Sequence, residues 1–169
     1  MPKRAEASTL ARASRPHYAP DKAVASLNTL RNELCVRYGF RNGAPRINLG
    51  PCGRFARDFH REWNSRFQEE VTIAFVMSNA DIANCYHVLI KLPDGRFCDG
   101  GNGVVTQEFL KTLYPDGHID EMKQFDAVLL DERSYGLSRA YSECPNYSDE
   151  FTQRTIAKRL SELSSRSTQ

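Results

Sequence analysis

Cys52 has the strongest claim to chemistry in this sequence. It stands in Leu49-Gly50-Pro51-Cys52-Gly53-Arg54-Phe55, one of five Cys residues in a chain with four His. Glycines at 50 and 53 leave room for a carbonyl group to approach the thiol. A thiol becomes a nucleophile once a neighbour takes its proton, so the His that reaches it matters most. His17 lies in a stretch that reads as a mobile arm, and His118 follows Pro115-Asp116-Gly117 in what reads as a solvated turn. His60 is eight residues farther along the helix expected to start at Cys52, about 12 Å up its axis and out of reach. His87 remains. It sits in the strand-like run Tyr86-His87-Val88-Leu89-Ile90, and a turn at Pro93-Asp94-Gly95 leads back to Cys98-Asp99. A three-residue loop pairs Leu92 with Arg96 and sets Asp99 diagonal to His87 on one face; a two-residue loop puts Asp99 on the other face. The first register would assemble nucleophile, base and orienting acid from Cys52, His87 and Asp99.

Each of the three also has a plain structural reading. A free Cys is commonly a small buried hydrophobe. His87 fits a half-buried strand position, and Asp99 fits a turn former ahead of Gly100-Gly101-Asn102-Gly103. Taken together, in this order and setting, they fit a triad better than three separate roles. Cys85, His87, Cys98 and Asp99 offer metal-binding atoms within 15 residues. However, Cys98 and Asp99 alternate faces in a strand and no Cys-x-x-Cys spacing occurs, so no metal is expected. The glycines match neither the Walker nor the Rossmann spacing, and no cofactor is expected.

The elements that must position these residues are legible in outline. From Cys52 to about Phe67 the periodicity predicts a helix whose apolar stripe, Phe55, Ala56, Phe59, Trp63 and Phe67, is centred on the direction of Cys52 itself. Arg54, Arg57, Asp58 and Arg61 take the opposite side. Laying the stripe on a sheet brings the thiol to the helix N-terminus at the sheet edge, where free N–H groups favour a thiolate. An earlier helix from Ala23 to Tyr38 carries Val24, Leu27, Leu30 and Leu34 inward and stops at Gly39. Strands are predicted at Val71–Met77, Tyr86–Leu92, Arg96–Asp99 and Phe125–Leu130, the last with an open continuation to Tyr135. Val105–Leu113 reads as a short helix capped near Thr106. Tyr141–Ser148 reads as loop and Asp149–Leu163 as a terminal helix with Phe151, Ile156, Leu160 and Leu163 inward. Helices followed by antiparallel strands place the chain in the α+β class.

The whole chain sets outer bounds. Its 169 residues suit a flexible basic arm (1–20), one α+β catalytic domain (21–163) and a polar tail (164–169). The arm carries Lys3, Arg4, Arg12 and Arg15 against Glu6; its acid-poor character also resembles a transit peptide. Lys and Arg total 23 against 21 Asp and Glu, and a net charge of +2 gives no field for specific nucleic-acid binding. No run of ten apolar residues occurs, so neither a membrane span nor a secretory signal is expected. An odd number of Cys reads as free thiols in a reducing compartment. The expected location is cytoplasmic, with leaderless secretion left open.

Gly50-Pro51-Cys52 opening an aromatic-rich helix, His87 on a strand and Asp99 after a short hairpin resemble the papain-like and transglutaminase-like superfamily of cysteine enzymes. The order Cys, His, Asp is similar to theirs, and Asp99-Gly100-Gly101-Asn102-Gly103 resembles an Asp-x-Asn-x-Gly segment of some members. The resemblance covers about residues 46–113. It implies a papain-like or transglutaminase-like core and a cysteine hydrolase, protease or deamidase, with transglutaminase activity as a variant. A protein or peptide amide would be attacked through a thioacyl intermediate. No Gln precedes Cys52, so Asn48 with the Cys52 backbone N–H stands in as oxyanion donor. Asn48, Gly53 and Asn102 are the residues expected to contact oxyanion or substrate. The alternative is a protein-binding module on the same fold, with Cys52 structural.

Overall fold

The first long helix, α1 (Pro20–Tyr38), starts on a proline whose fixed φ suits the first turn, and ends at Gly39 with φ 77°. Its buried face is Ala23, Leu27, Leu30, Leu34 and Tyr38. The computed structural model describes residues 11–134 and 142–166. After α1 comes a two-residue hairpin, β1 (Phe40–Arg41) with β2 (Ala44–Pro45), and a 3₁₀ turn at Arg46–Asn48. Helix α2 (Cys52–Asn64) follows, three residues shorter than its apolar pattern suggested. Phe55, Phe59, Trp63 and Phe67 still form one aromatic ladder with centroids 4.3–5.7 Å apart.

The sheet has five antiparallel strands in the order β6-β5-β4-β3-β7. These are β3 (Thr72–Ser78), β4 (Cys85–Lys91), β5 (Phe97–Asp99), β6 (Gly103–Val105) and β7 (Gly117–Met122). One face meets the long helices, with Ile73, Phe75, Val88, Ile90 and Cys98 in the main core. The other face holds a smaller cluster of Ala74, Val76, Leu89, Phe97, Val105 and Leu110 under α3 (Gln107–Leu113). Thr106 caps α3 by accepting from the Phe109 N–H, as its position in the sequence suggests. The terminal helix α5 (Asp149–Arg166) runs past the expected end at Leu163, so Ser164–Arg166 are helical.

Two expectations are corrected. Phe125–Leu130 is not a strand: Asp126 accepts hydrogen bonds from the N–H groups of Val128 and Leu129 and so caps a helix, α4 (Ala127–Arg133). The suggested continuation is no strand either: Asp131–Arg133 belong to α4 and Ser134 closes it, while Tyr135 lies outside the described residues. His118 is not in a turn but on β7, where it pairs opposite Met77. The run Gly-His-Ile-Asp-Glu-Met has little β propensity; tertiary pairing with β3 makes it a strand, and its charges suit a sheet edge.

The charged side of α2 is no solvent face either. Arg54 and Arg57 pair with Asp149 of α5, and buried Asp58 accepts from Arg57, Arg61 and Gln153. The second half of the stretch read as an arm is docked. Arg12 pairs with Glu70, Arg15 donates to the Asn64 carbonyl, and His17 bonds Glu69. Residues 1–10 lie outside the described residues. Among the described residues, no helix is long and apolar enough to cross a membrane.

Candidate active site

His87 and Asp99 meet through the three-residue loop. The Leu92 N–H donates to the Arg96 carbonyl at 2.8 Å, and the pairs Lys91↔Phe97 and Ile90↔Cys98 follow. One step further sets Asp99 opposite Leu89 and diagonal to His87, on the same face. The side chains close that diagonal: His87 Nε2 lies 2.9 Å from Asp99 Oδ2, with the residues 1% and 2% exposed.

Cys52 reaches the same point by a less obvious route. Its helix covers one face of the sheet, whereas alternation turns His87 toward the other. They meet at an edge. The Leu92 N–H points toward β5, so those of Ile90 and Val88 point the same way. The chain leaves β5 after Asp99, before it can offer Val88 a carbonyl. The Cys52 sulfur takes that place beside β4, accepting from the Val88 N–H and interacting with the His87 ring. With Nε2 on Asp99, the ring nitrogen left for the thiol is Nδ1, which has no other partner.

The electrostatics follow from these contacts. Burial alone would raise the Cys52 thiol, but hydrogen bonding to His87, its charge and the Val88 N–H together bring it below the ordinary value. Burial would likewise lower His87; the fields of Tyr114, Asp99 and Cys52 outweigh it and raise the imidazole well above its usual range. Asp99 resists burial and is held low by His87, the Asn102 N–H and Asn48. Burial raises each of the other four thiols, Cys85 to about 11. Cys52 alone is pulled toward the thiolate.

The predicted supporting residues take different places. Asn48 Nδ2 donates one of its two N–H bonds to Asp99 Oδ1 at 3.1 Å. Asn102 is also on Asp99, giving its backbone N–H to Oδ1 at 2.6 Å and Nδ2 to Oδ2 at 3.2 Å. Both amides therefore support the Asp99 carboxylate. Gly53 lies buried in the first turn of α2. The first backbone bond of that turn is Phe55 N–H to the Pro51 carbonyl at 2.9 Å, so the Cys52 and Gly53 N–H groups have no acceptor four residues back. Both N–H groups are thus left free at the start of the helix, beside the thiol.

A cavity of about 200 Å³ opens on the thiol, lined by Asn48, Cys52, His87, Tyr114, Arg133 and Ser134 among others. Tyr114 stacks on His87 at 5.9 Å and on Tyr86 at 6.1 Å. Sequence reasoning missed Tyr114, Arg133 and Ser134, since nothing local marks a helix end as part of a distant cavity. Among the described residues, no group of three or more His, Cys, Asp or Glu is placed to hold a metal ion. Comparison with protein-family models, curated proteins and solved structures finds no match for this chain.

Proposed function

We propose that this chain is a cysteine-dependent acyl-transfer hydrolase, with a core of the papain-like and transglutaminase-like kind. One observation carries the reading: His87 is held by Asp99 through Nε2 while its other nitrogen is left to Cys52, the first residue of a helix. Cys52 sulfur attacks an amide carbonyl and the S–C bond forms, with negative charge developing on oxygen beside the Cys52 and Gly53 N–H groups. The imidazolium of His87 gives its proton to the departing nitrogen as the C–N bond breaks. Water, deprotonated by His87, then attacks the thioester, releasing the acid and restoring the thiol. Asp99 keeps the ring oriented and stabilises its charged form. Protease and deamidase share these steps; interception by an amine would make a transglutaminase.

The test is the iodoacetamide labelling rate of each Cys against pH, read by peptide mass spectrometry. Cys52 is expected to label rapidly well below the ordinary thiol pKa of about 8.5. His87→Ala leaves burial as the main influence on the thiol and should shift that profile upward. An ordinary or protected Cys52 in the wild-type chain would end the acyl-transfer reading. The second reading, a binding module, draws on a groove of about 700 Å³ between α1 and α5, where Val36 is 88% exposed. It predicts a Cys52 no faster than the other thiols.

A further inference from the structure

Among the described residues, five buried side-chain polar atoms lack a hydrogen-bond partner, and three of them belong to residues lining the cysteine cavity. These are Asn48 Oδ1, His87 Nδ1 and Ser134 Oγ. Such atoms are rare because each gives up hydration without compensation, and their concentration at one cavity calls for a ligand that completes them. His87 Nδ1 faces Cys52. The other two have no role in the triad.

Asn48 is fixed in orientation, because only its Nδ2 can donate to the Asp99 carboxylate. Its Oδ1 can therefore only accept. Ser134 closes the C-terminal end of α4 and is 7% exposed; its hydroxyl rotates to donate or accept. We propose that Asn48 Oδ1 and Ser134 Oγ seat the nitrogen of a primary carboxamide, so that the acyl donor is a side-chain amide of the glutamine or asparagine type. This inference rests on the acyl-transfer reading of Cys52.

The chemistry narrows the ligand stepwise. An acceptor-only atom needs a donor, which esters and ionised carboxylates lack. Two unpartnered atoms match the two N–H bonds of –CONH₂. A main-chain peptide nitrogen has one N–H and carries a carbon where the second would be. The cavity, at about 200 Å³, is also smaller than the roughly 300–1,000 Å³ of drug-sized ligand sites, and suits one side chain rather than a run of peptide. In the resulting step the Cys52 S–C bond forms, the C–N bond breaks, and the nitrogen takes the His87 proton to leave as ammonia.

The test compares alkylation of Cys52 in the full chain by iodoacetamide and by N,N-dimethyliodoacetamide, in which both N–H bonds are replaced. In each case sulfur displaces iodide, and the rate ratio is set against that of glutathione. The expected ratio for Cys52 exceeds that of glutathione about tenfold, and Ser134→Ala lowers the excess about threefold or more, one hydrogen bond's worth. Removing a hydroxyl that makes no bond leaves the fold intact, so a purely structural Ser134 predicts no change in the ratio. A fast, His87-dependent Cys52 with the glutathione ratio overturns the carboxamide inference alone. An excess that is undiminished in Ser134→Ala is exclusion by size and overturns it too. Slow labelling of Cys52 by both reagents overturns the acyl-transfer reading and this inference with it.

Discussion

Five donors converge on the carboxylate of Asp99: His87 Nε2, Asn48 Nδ2, Asn102 Nδ2 and the N–H groups of Gly101 and Asn102. A buried carboxylate is tolerated only when its lone pairs are filled in this way. Asp99→Asn can keep an oxygen for the three donors at Oδ1 but turns an NH₂ toward His87 Nε2 and Asn102 Nδ2, the two donors at Oδ2. Chemical denaturation is expected to show a loss of about 3–5 kcal/mol, the scale for breaking a buried charged pair. The His87 imidazolium loses its counter-charge as well, and the low-pH labelling of Cys52 should disappear. The sign of the pH dependence follows from the folded-state shift. Asp99 is lowered, so its contribution to stability is present above the unfolded Asp pKa of about 3.9 and is lost as pH falls through the folded value. Acid titration of the wild type should show that loss below about pH 4, and Asp99→Asn should lack it.

At the scale of elements, the site depends on where β5 stops. One more residue of pairing would fill the edge of β4 that Cys52 occupies. The turn that prevents this is tight: a Cβ on Gly101 would lie 2.5 Å from both Asn48 Nδ2 and Pro45 Cβ. Gly103 has φ 72°, and a Cβ there would meet Asn28 Oδ1, the atom that accepts from the Val104 N–H. Gly101→Ala must therefore push Asn48 off Asp99. The expected result is a destabilisation of about 1–3 kcal/mol in denaturant melts, the cost of overpacking. Cys52 labelling should shift upward in pH but remain dependent on His87. An unchanged labelling profile would mean that the Asn48 contact does not tune the site.

For the whole molecule, the docked segment before α1 offers a test of how far the site is insulated. Tyr18 packs edge-on against Trp63 at 5.4 Å and donates to Asp94 at 3.0 Å. Its neighbours reach Asn64, Gln68 and Glu69, beyond the end of α2 opposite to Cys52, about 18 Å away along the helix axis. A chain beginning at Ala19 should lose about 1–3 kcal/mol from the exposed aromatic surface and keep the wild-type Cys52 labelling profile. Residue types and local periodicity determined the amphipathic helix with Cys52 at its start, the His87 strand and the α+β order, because those signals lie within a few residues of each other. They also narrowed the hairpin at Pro93-Asp94-Gly95 to two registers. Only the tertiary structure decided between them, through pairing over the whole hairpin. It alone turned Phe125–Leu130 into capped helix and made a strand of Gly117–Met122, where β3 overrides weak propensity. Asn48 and Asn102 became supports for Asp99, and Ser134 came to the cavity, through approaches between residues distant in the chain. Hydrogen-bond partners at that range leave no mark in local spacing.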